Sequence, residues 1–301
     1  MSVFRLKYGC ALAVLTAGLG YGEVCADEGG GGVSRFSWET EAGFSGVAKS
    51  RFKGGSFGGN VSEVDAAARA VASIQVGGGP LIRAGVEWQR YDFGSPRNAP
   101  LPDVMQSLAL VIGADFQIGE AWLFRLEATP GFYAGGPDIR AGDFNVPVLF
   151  GGSYFVSADL QFIAGLELDV NRKYPVLGAI GVRWKFAQQF VLNAVLPTPR
   201  LEYSFSKELT GYLGADIRET TYRMTGDFAG PRNKRGLNNA IVDFTEIRVG
   251  AGATWSVTSN LKLEVEAGVV VDQDLDYHRA DFRVRSHGYP AYGGISLKAA
   301  F

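Results

Sequence analysis

Apolar and polar residues alternate over most of this chain. The stretch LKLEVEAGVVVD (261–272) shows it plainly: Leu261, Leu263, Val265, Ala267, Val269 and Val271 share one face, and Lys262, Glu264, Glu266 and Asp272 share the other. A period of two identifies a β-strand, because successive side chains point to opposite sides. A helix would spread these charges around its whole circumference. The split recurs in EIRVGAGATWSV (246–257), SEVDAAARAVASIQV (62–76), FSWETEAGF, LIRAGVEWQ, LVIGADFQI, WLFRLEAT, LQFIAGLELDV, IGVRWKF and LGADIRET. It recurs in the final ISLKAAF, where Ile295, Leu297, Ala299 and Phe301 oppose Ser296, Lys298 and Ala300.

The connections alternate in length. GGGP (77–80), GEA (119–121), SAD (157–159), AQQ (187–189), SKE (206–208) and TSN (258–260) are tight. Between them fall longer ones at 94–106, 134–142, 225–239 and 276–288. The pattern predicts an all-β fold: a closed antiparallel up-and-down transmembrane β-barrel with turns at one end and loops at the other. The count is about 14 strands if LPTPR (196–200) is an outward turn, and about 12 if that segment stays inside one bent strand.

A soluble sandwich also has one apolar and one polar face. The start of the chain favours the membrane. MSVFRLKYG carries Arg5 and Lys7, CALAVLTAGLG is a short apolar core, and VCA ends at Ala26 with small residues suited to a signal peptidase. Residues 1–26 read as a signal peptide, 27–34 (DEGGGGVS) as a flexible leader, and 35–301 as the barrel. Both cysteines, Cys10 and Cys25, depart with the signal peptide, so the exported chain carries no thiol. Removing Arg5, Lys7 and Glu23 leaves 27 basic and 30 acidic side chains, a balance that gives no reason to expect nucleic acid. Trp38, Trp88, Trp122, Trp184 and Trp255 all fall on apolar faces, as suits a residue with an apolar ring and a polar N–H at a membrane boundary.

Two resemblances follow. Outer-membrane proteins of Gram-negative bacteria typically end in an aromatic residue preceded by apolar residues at alternate positions. Leu297, Ala299 and Phe301 resemble that assembly signal, which implies the barrel-assembly machinery as a partner. The run NAVLPTPRLEYSFSKELTGYLGAD (193–216) is similar to a segment of an uncharacterised bacterial family of outer-membrane β-barrels, the matching positions being Leu196, Pro197, Pro199, Arg200 and Tyr203. That resemblance implies a barrel in the bacterial outer membrane, among lipid and lipopolysaccharide, and no particular activity.

With the apolar rows facing lipid, the lumen-lining candidates are Glu87, Arg125, Glu127, Glu167, Arg183, Lys185, Arg200, Glu202, Asp216, Arg218, Glu246, Arg248, Lys262, Glu264 and Glu266. Glu39, Glu41, Glu63, Asp65, Arg69, Arg83, Asp115, Asp169 and Asp272 join them on the same register, so acids outnumber bases. Neighbouring strands lie about 4.8 Å apart, so these charges can brace the wall as ion pairs. They can also line a water-filled conduit that favours cations or polar solutes. The leading functional expectation is passage of small polar solutes. The alternative is a plugged barrel with a structural or surface-interaction role.

No catalytic, cofactor or metal site is expected. His278 and His287 are the only histidines, and neighbouring residues of a strand point apart, so Ser286-His287 forms no triad by spacing. Asp272, Asp274 and Asp276 alternate, but position 6 of the calcium loop they would start is Tyr277, where an EF-hand needs Gly. Arg232, Lys234 and Arg235 cluster in the longest loop as candidates for lipopolysaccharide phosphates.

Overall fold

The alternating segments fold as strands. A computed structural model describes residues 36–77, 79–96, 99–230 and 235–301; the predicted signal peptide and leader, Arg232, Lys234 and the Arg235 side chain lie outside the described residues. The strands are β1 (Phe36–Gly54), β2 (Phe57–Gln75), β3 (Leu81–Gly94), β4 (Val104–Ile118), β5 (Trp122–Ala128), β6 (Gly131–Gly135), β7 (Phe144–Asn145), β8 (Val148–Phe155) and β9 (Leu160–Leu168). They continue with β10 (Val176–Trp184), β11 (Phe190–Val195), β12 (Arg200–Ser204), β13 (Leu209–Met224), β14 (Ile241–Ser256), β15 (Leu261–Tyr277), β16 (Phe282–His287) and β17 (Ala291–Ala300).

Fourteen of these close an antiparallel barrel: β1 to β5, β8 to β15, and β17. The segment 196–199 is a turn between β11 and β12, which settles the strand count in favour of 14. β17 pairs with β15 on one side and β1 on the other, so no edge is left open at the ends of the sheet. Trp38 and Phe301 complete the seam by exchanging backbone hydrogen bonds of 2.8 Å each way. Closure is what a strand wall in hydrocarbon requires, since an unpaired backbone group has no water there.

The wall is uneven in height. β1 and β2 have 19 residues each, about 60 Å of extended chain, while β9 and β10 have nine and β12 has five. Nine tilted residues just cross an apolar band about 25 Å tall. The low strands stop at prolines: Pro130 follows β5, Pro147 precedes β8, Pro175 precedes β10, and Pro197 and Pro199 fill the β11–β12 turn. Proline has no N–H to offer a ladder, so each ends its strand.

Above the low wall, the tall strands close a second, smaller ring. β6 leaves the line of β5, pairs with β4, and meets β13 in parallel at Ala134↔Arg223 and Gly135↔Met224. β16 joins β15 to the end of β1. The ring therefore runs β1-β2-β3-β4-β6-β13-β14-β15-β16. Its interior is dry. Phe52, Tyr91, Phe93, Leu101, Met105, Phe244, Leu275, Tyr277 and Val284 are all buried there, with the Tyr91 and Phe244 rings 4.9 Å apart.

The two rings have opposite polarity. Outward positions low on β3 are apolar as far as Trp88; above it Arg90 and Asp92 face out and pair at 2.8 Å. On β1 and β15 a bulge makes the change. One extra residue between Val47 and Ser50 turns Phe52 inward, and one extra residue opposite Ile247/Arg248 turns Gln273, Leu275 and Tyr277 inward. Asp272 was expected inside; it lies on the outer side because the bulge shifts the register by one. Asp272, Asp274 and Asp276 pair there with Arg285, Arg283 and Lys173.

The tryptophans mark both edges of the apolar band. Trp38, Trp122, Trp184 and Trp255 are exposed near the turn end, and Trp88 stands at the outer change of polarity. A chain of ring contacts runs Trp184–Phe186–Phe190–Tyr203–Phe205 along the turn side of β10 to β12, at 4.8 to 5.6 Å.

The inner ring depends on a close approach at Gly131, where an added Cβ would lie 2.6 Å from the Leu108 carbonyl oxygen. No side-chain movement relieves that overlap. Gly131→Val is expected to push β6 off β4 and lower stability by about 1–3 kcal/mol, read as a lower urea midpoint for the protein in lipid vesicles and loss of the near-ultraviolet signal of Tyr91 and Phe244.

Candidate functional site

Below the dry ring the lumen is polar, and its charges fall into three ion-pair groups. On β1 to β5, Arg125 holds Asp115 through two hydrogen bonds of 2.7 and 2.8 Å, Arg83 reaches Glu39 at 3.3 Å, and Arg69 bridges Glu87 and Glu127 at 2.7 Å each. Around β12, β13, β15 and β17, Glu264 accepts from Arg200 at 2.9 Å, Lys298 at 2.9 Å and the Tyr212 hydroxyl at 2.6 Å. The Arg200 guanidinium also lies over the Tyr212 ring, 4.1 Å from its centre.

The third group lies directly under the dry core. Arg248 is fully buried and donates to Glu246 at 2.6 Å, to the Ser45 hydroxyl at 2.8 Å and to Glu63 at 3.4 Å. Gln273 donates to Glu63 and to Glu246. Arg218 joins Asp216 at 2.7 Å and Asp65 at 2.6 Å. Local sequence explains these meetings: a two-residue spacing places Glu246 with Arg248, and Asp216 with Arg218, on one face of one strand.

Between these groups lies a cavity of about 270 Å³. Its lining carries five basic side chains, Arg69, Arg172, Arg200, Arg218 and Lys298, against ten carboxylates. It extends from Lys298 and Glu264 in the lower lumen to Thr129, Pro147, Asp169 and Glu219 at the rim of the low wall. The cavity touches the underside of the dry core at Tyr91 and Tyr133 and reaches the low-wall rim at Thr129, Pro147 and Asp169.

At that rim the wall has a window. The last bond from β13 to the low wall runs from the Ile217 N–H to the Pro197 carbonyl, and the next backbone pairing of that edge is with β6 at Arg223. The loop 169–175 crosses the window. Asn145 donates to Asp169 at 2.9 Å, the Lys173 N–H donates to Asp243 at 2.8 Å, and the Lys173 ammonium reaches Asp276 at 2.8 Å. Arg172 is 2% exposed and sits between Glu167 of β9 at 2.9 Å and Glu219 of β13 at 3.5 Å. Burial works against its charge, but Glu167 and Glu219 outweigh that and hold the guanidinium above its ordinary value.

Of the sequence-derived candidates, Glu87, Glu127, Glu167, Arg200, Asp216, Arg218, Glu264 and Glu266 line the cavity. Arg125, Glu246 and Arg248 lie in the ion-pair groups just described. Arg183 stands opposite the buried Gln161 and Asn193, Glu202 opposite Tyr212, and Lys262 opposite Lys298, all nearer the turn end. Lys185 lies past the end of β10, exposed in the turn. His278 rests 3.4 Å from Asp243 on the outer side of β14, and His287 is exposed opposite Arg51 of β1.

Sequence reasoning missed Lys298, Arg172 and Glu219. Lys298 was legible, since it shares the polar face of ISLKAAF. Arg172 is in a loop with no period, and Glu219 faces outward by its register.

Removing the buried cation beneath the core strands two carboxylates. Arg248→Met is expected to destabilise the protein by about 3–5 kcal/mol, read as a lower urea midpoint.

No protein-family model matches the chain, and no curated protein matches it. Its structure is similar to an outer-membrane channel from Pseudomonas putida F1, with 8% identity, 92% of this chain and 100% of that one covered, and a TM-score of 0.50. A Pseudomonas aeruginosa FadL homologue (10% identity, 89% and 90% covered, TM-score 0.38) and the Pseudomonas putida toluene transporter TodX (9% identity, 87% and 89% covered, TM-score 0.39) match more loosely. What the first of these shares with the chain is the barrel fold.

Proposed function

We infer that this protein is a narrow conduit for small polar solutes in the bacterial outer membrane, with a preference for cations. The observation that carries the reading is the acid-rich cavity running from the lower lumen to the window in the low wall. Confined carboxylates in excess attract cations and repel anions, and the effect grows where low-dielectric walls focus the field. The outward apolar band and its tryptophans support the membrane. The window stands at the height where β13 passes from Ile217 to Glu219 on its outward face, so it opens to water above the band. The path leaves the lumen beside the inner ring, because the ring's dry core blocks the axis.

A second reading has its own observation. The lumen charges are extensively paired and the axis is filled, as in a plugged barrel with a structural or surface-interaction role. Membership of the family that shares the L-P-x-P-R run, delivery by the barrel-assembly machinery through Leu297, Ala299 and Phe301, and contact of the 225–239 loop with lipopolysaccharide belong to the same proposal.

Planar-bilayer recording of the purified protein separates the two readings. Small conductance steps are expected, with a zero-current potential in a KCl gradient on the cation side. A silent bilayer removes the conduit, and an anion-side potential removes the role given to the lumen acids.

A further inference from the structure

The window is narrowed by unusual means. Elsewhere in the described wall, neighbouring strands are joined by backbone ladders. Here Glu167 on the low wall and Glu219 on β13 stand on opposite sides, and one guanidinium lies between them. Two facing carboxylates repel each other, and a cation between them relieves the repulsion. Arg172 supplies that cation from a loop, at the end of a flexible side chain. Its Nη1 and Nε are buried without a hydrogen-bond partner, and its side chain lines the cavity. A tethered group held by two carboxylates, with part of its donor fork unused, can be displaced by a free cation of similar shape.

We propose that Glu167 and Glu219 form a recognition site for small organic cations of the guanidinium or ammonium class at the outer mouth of the lumen, and that Arg172 occupies it as a tethered competitor, narrowing the window until a solute takes its place. The inference rests on the conduit reading and names its solute class and selecting residues. The site suits an organic cation over a metal: among the described residues no group of His, Cys, Asp and Glu is arranged to hold a metal ion. It suits a cation over an anion, because Asp169 adds a third carboxylate beside Arg172 on the same lining.

The test is single-channel recording of Arg172→Ala beside the wild-type protein, with a β-type circular dichroism spectrum as the check on folding. The variant is expected to conduct several-fold more. Millimolar guanidinium chloride should return it toward the wild-type level, while equal sodium chloride should not. Adding Glu219→Gln to Arg172→Ala should weaken that block about tenfold. Unchanged conductance in Arg172→Ala, or guanidinium acting no differently from sodium, overturns the assignment and leaves the conduit standing. Silence in both wild type and variant removes the conduit and this inference together. Should Arg172→Ala fail to fold, Arg172→Lys keeps the charge without the planar fork; it is expected to conduct at an intermediate level, and a wild-type level overturns the proposal.

Discussion

Each tall strand of this barrel must satisfy two solvents along its length. In the apolar band, outward side chains meet hydrocarbon, so the charges turn inward and the backbone closes on itself. Above the band the same strands meet water on the outside, and the rule reverses: Arg90, Asp92, Asp272 and Asp274 face out, while Tyr91, Phe244 and Leu275 pack within. β3 makes the change by altering residue type at fixed register. β1 and β15 make it with one extra residue, which rotates all that follows to the other face.

This reversal determines where a path can run. A ring that buries aromatic side chains outside the membrane is a core, and a core cannot also be an axial pore. The uneven wall provides the other route. Proline ends the low strands near the top of the band, β6 swings across to β13, and the space between them has side chains where a ladder would otherwise be. The lower lumen and the window are thus parts of one cavity, and its outer boundary is ionic.

Much of this was legible in the sequence, for a physical reason. Period-two alternation records which face is greasy, and tight turns between longer loops record the meander; both are local and survive without knowledge of contacts. The turn at Leu196–Pro199 carries its own signal in two prolines. What could not be read depends on tertiary pairing. A bulge has no local signature here, so Asp272 was assigned to the wrong face. The connection 134–142 reads as loop, yet Ala134 and Gly135 end β6, because a five-residue strand between two distant partners is chosen by those partners. The polar face was identified correctly for Glu264 and Arg200, but which cation meets which acid depends on side chains from strands far apart in the chain, such as Arg200 with Glu264 and Arg218 with Asp65.

The charge balance of the cavity links the parts. Buried ion pairs do little more than offset the cost of taking two charges out of water, so pairing alone is a weak reason to keep so many. Ten lining carboxylates meet five lining bases, with Arg83 and Arg248 also reaching Glu127 and Asp65, and the acids left over lower the energy of any cation that enters. A lumen that only braced its wall would gain from balance, since each uncompensated acid repels its neighbours. Keeping the excess while placing one of the five bases, Arg172, at the mouth gives an interior that draws cations in and an exit already filled by one. Conduction then requires that the solute bind Glu167 and Glu219 well enough to displace the tether and weakly enough to leave, the balance any selective pore must strike.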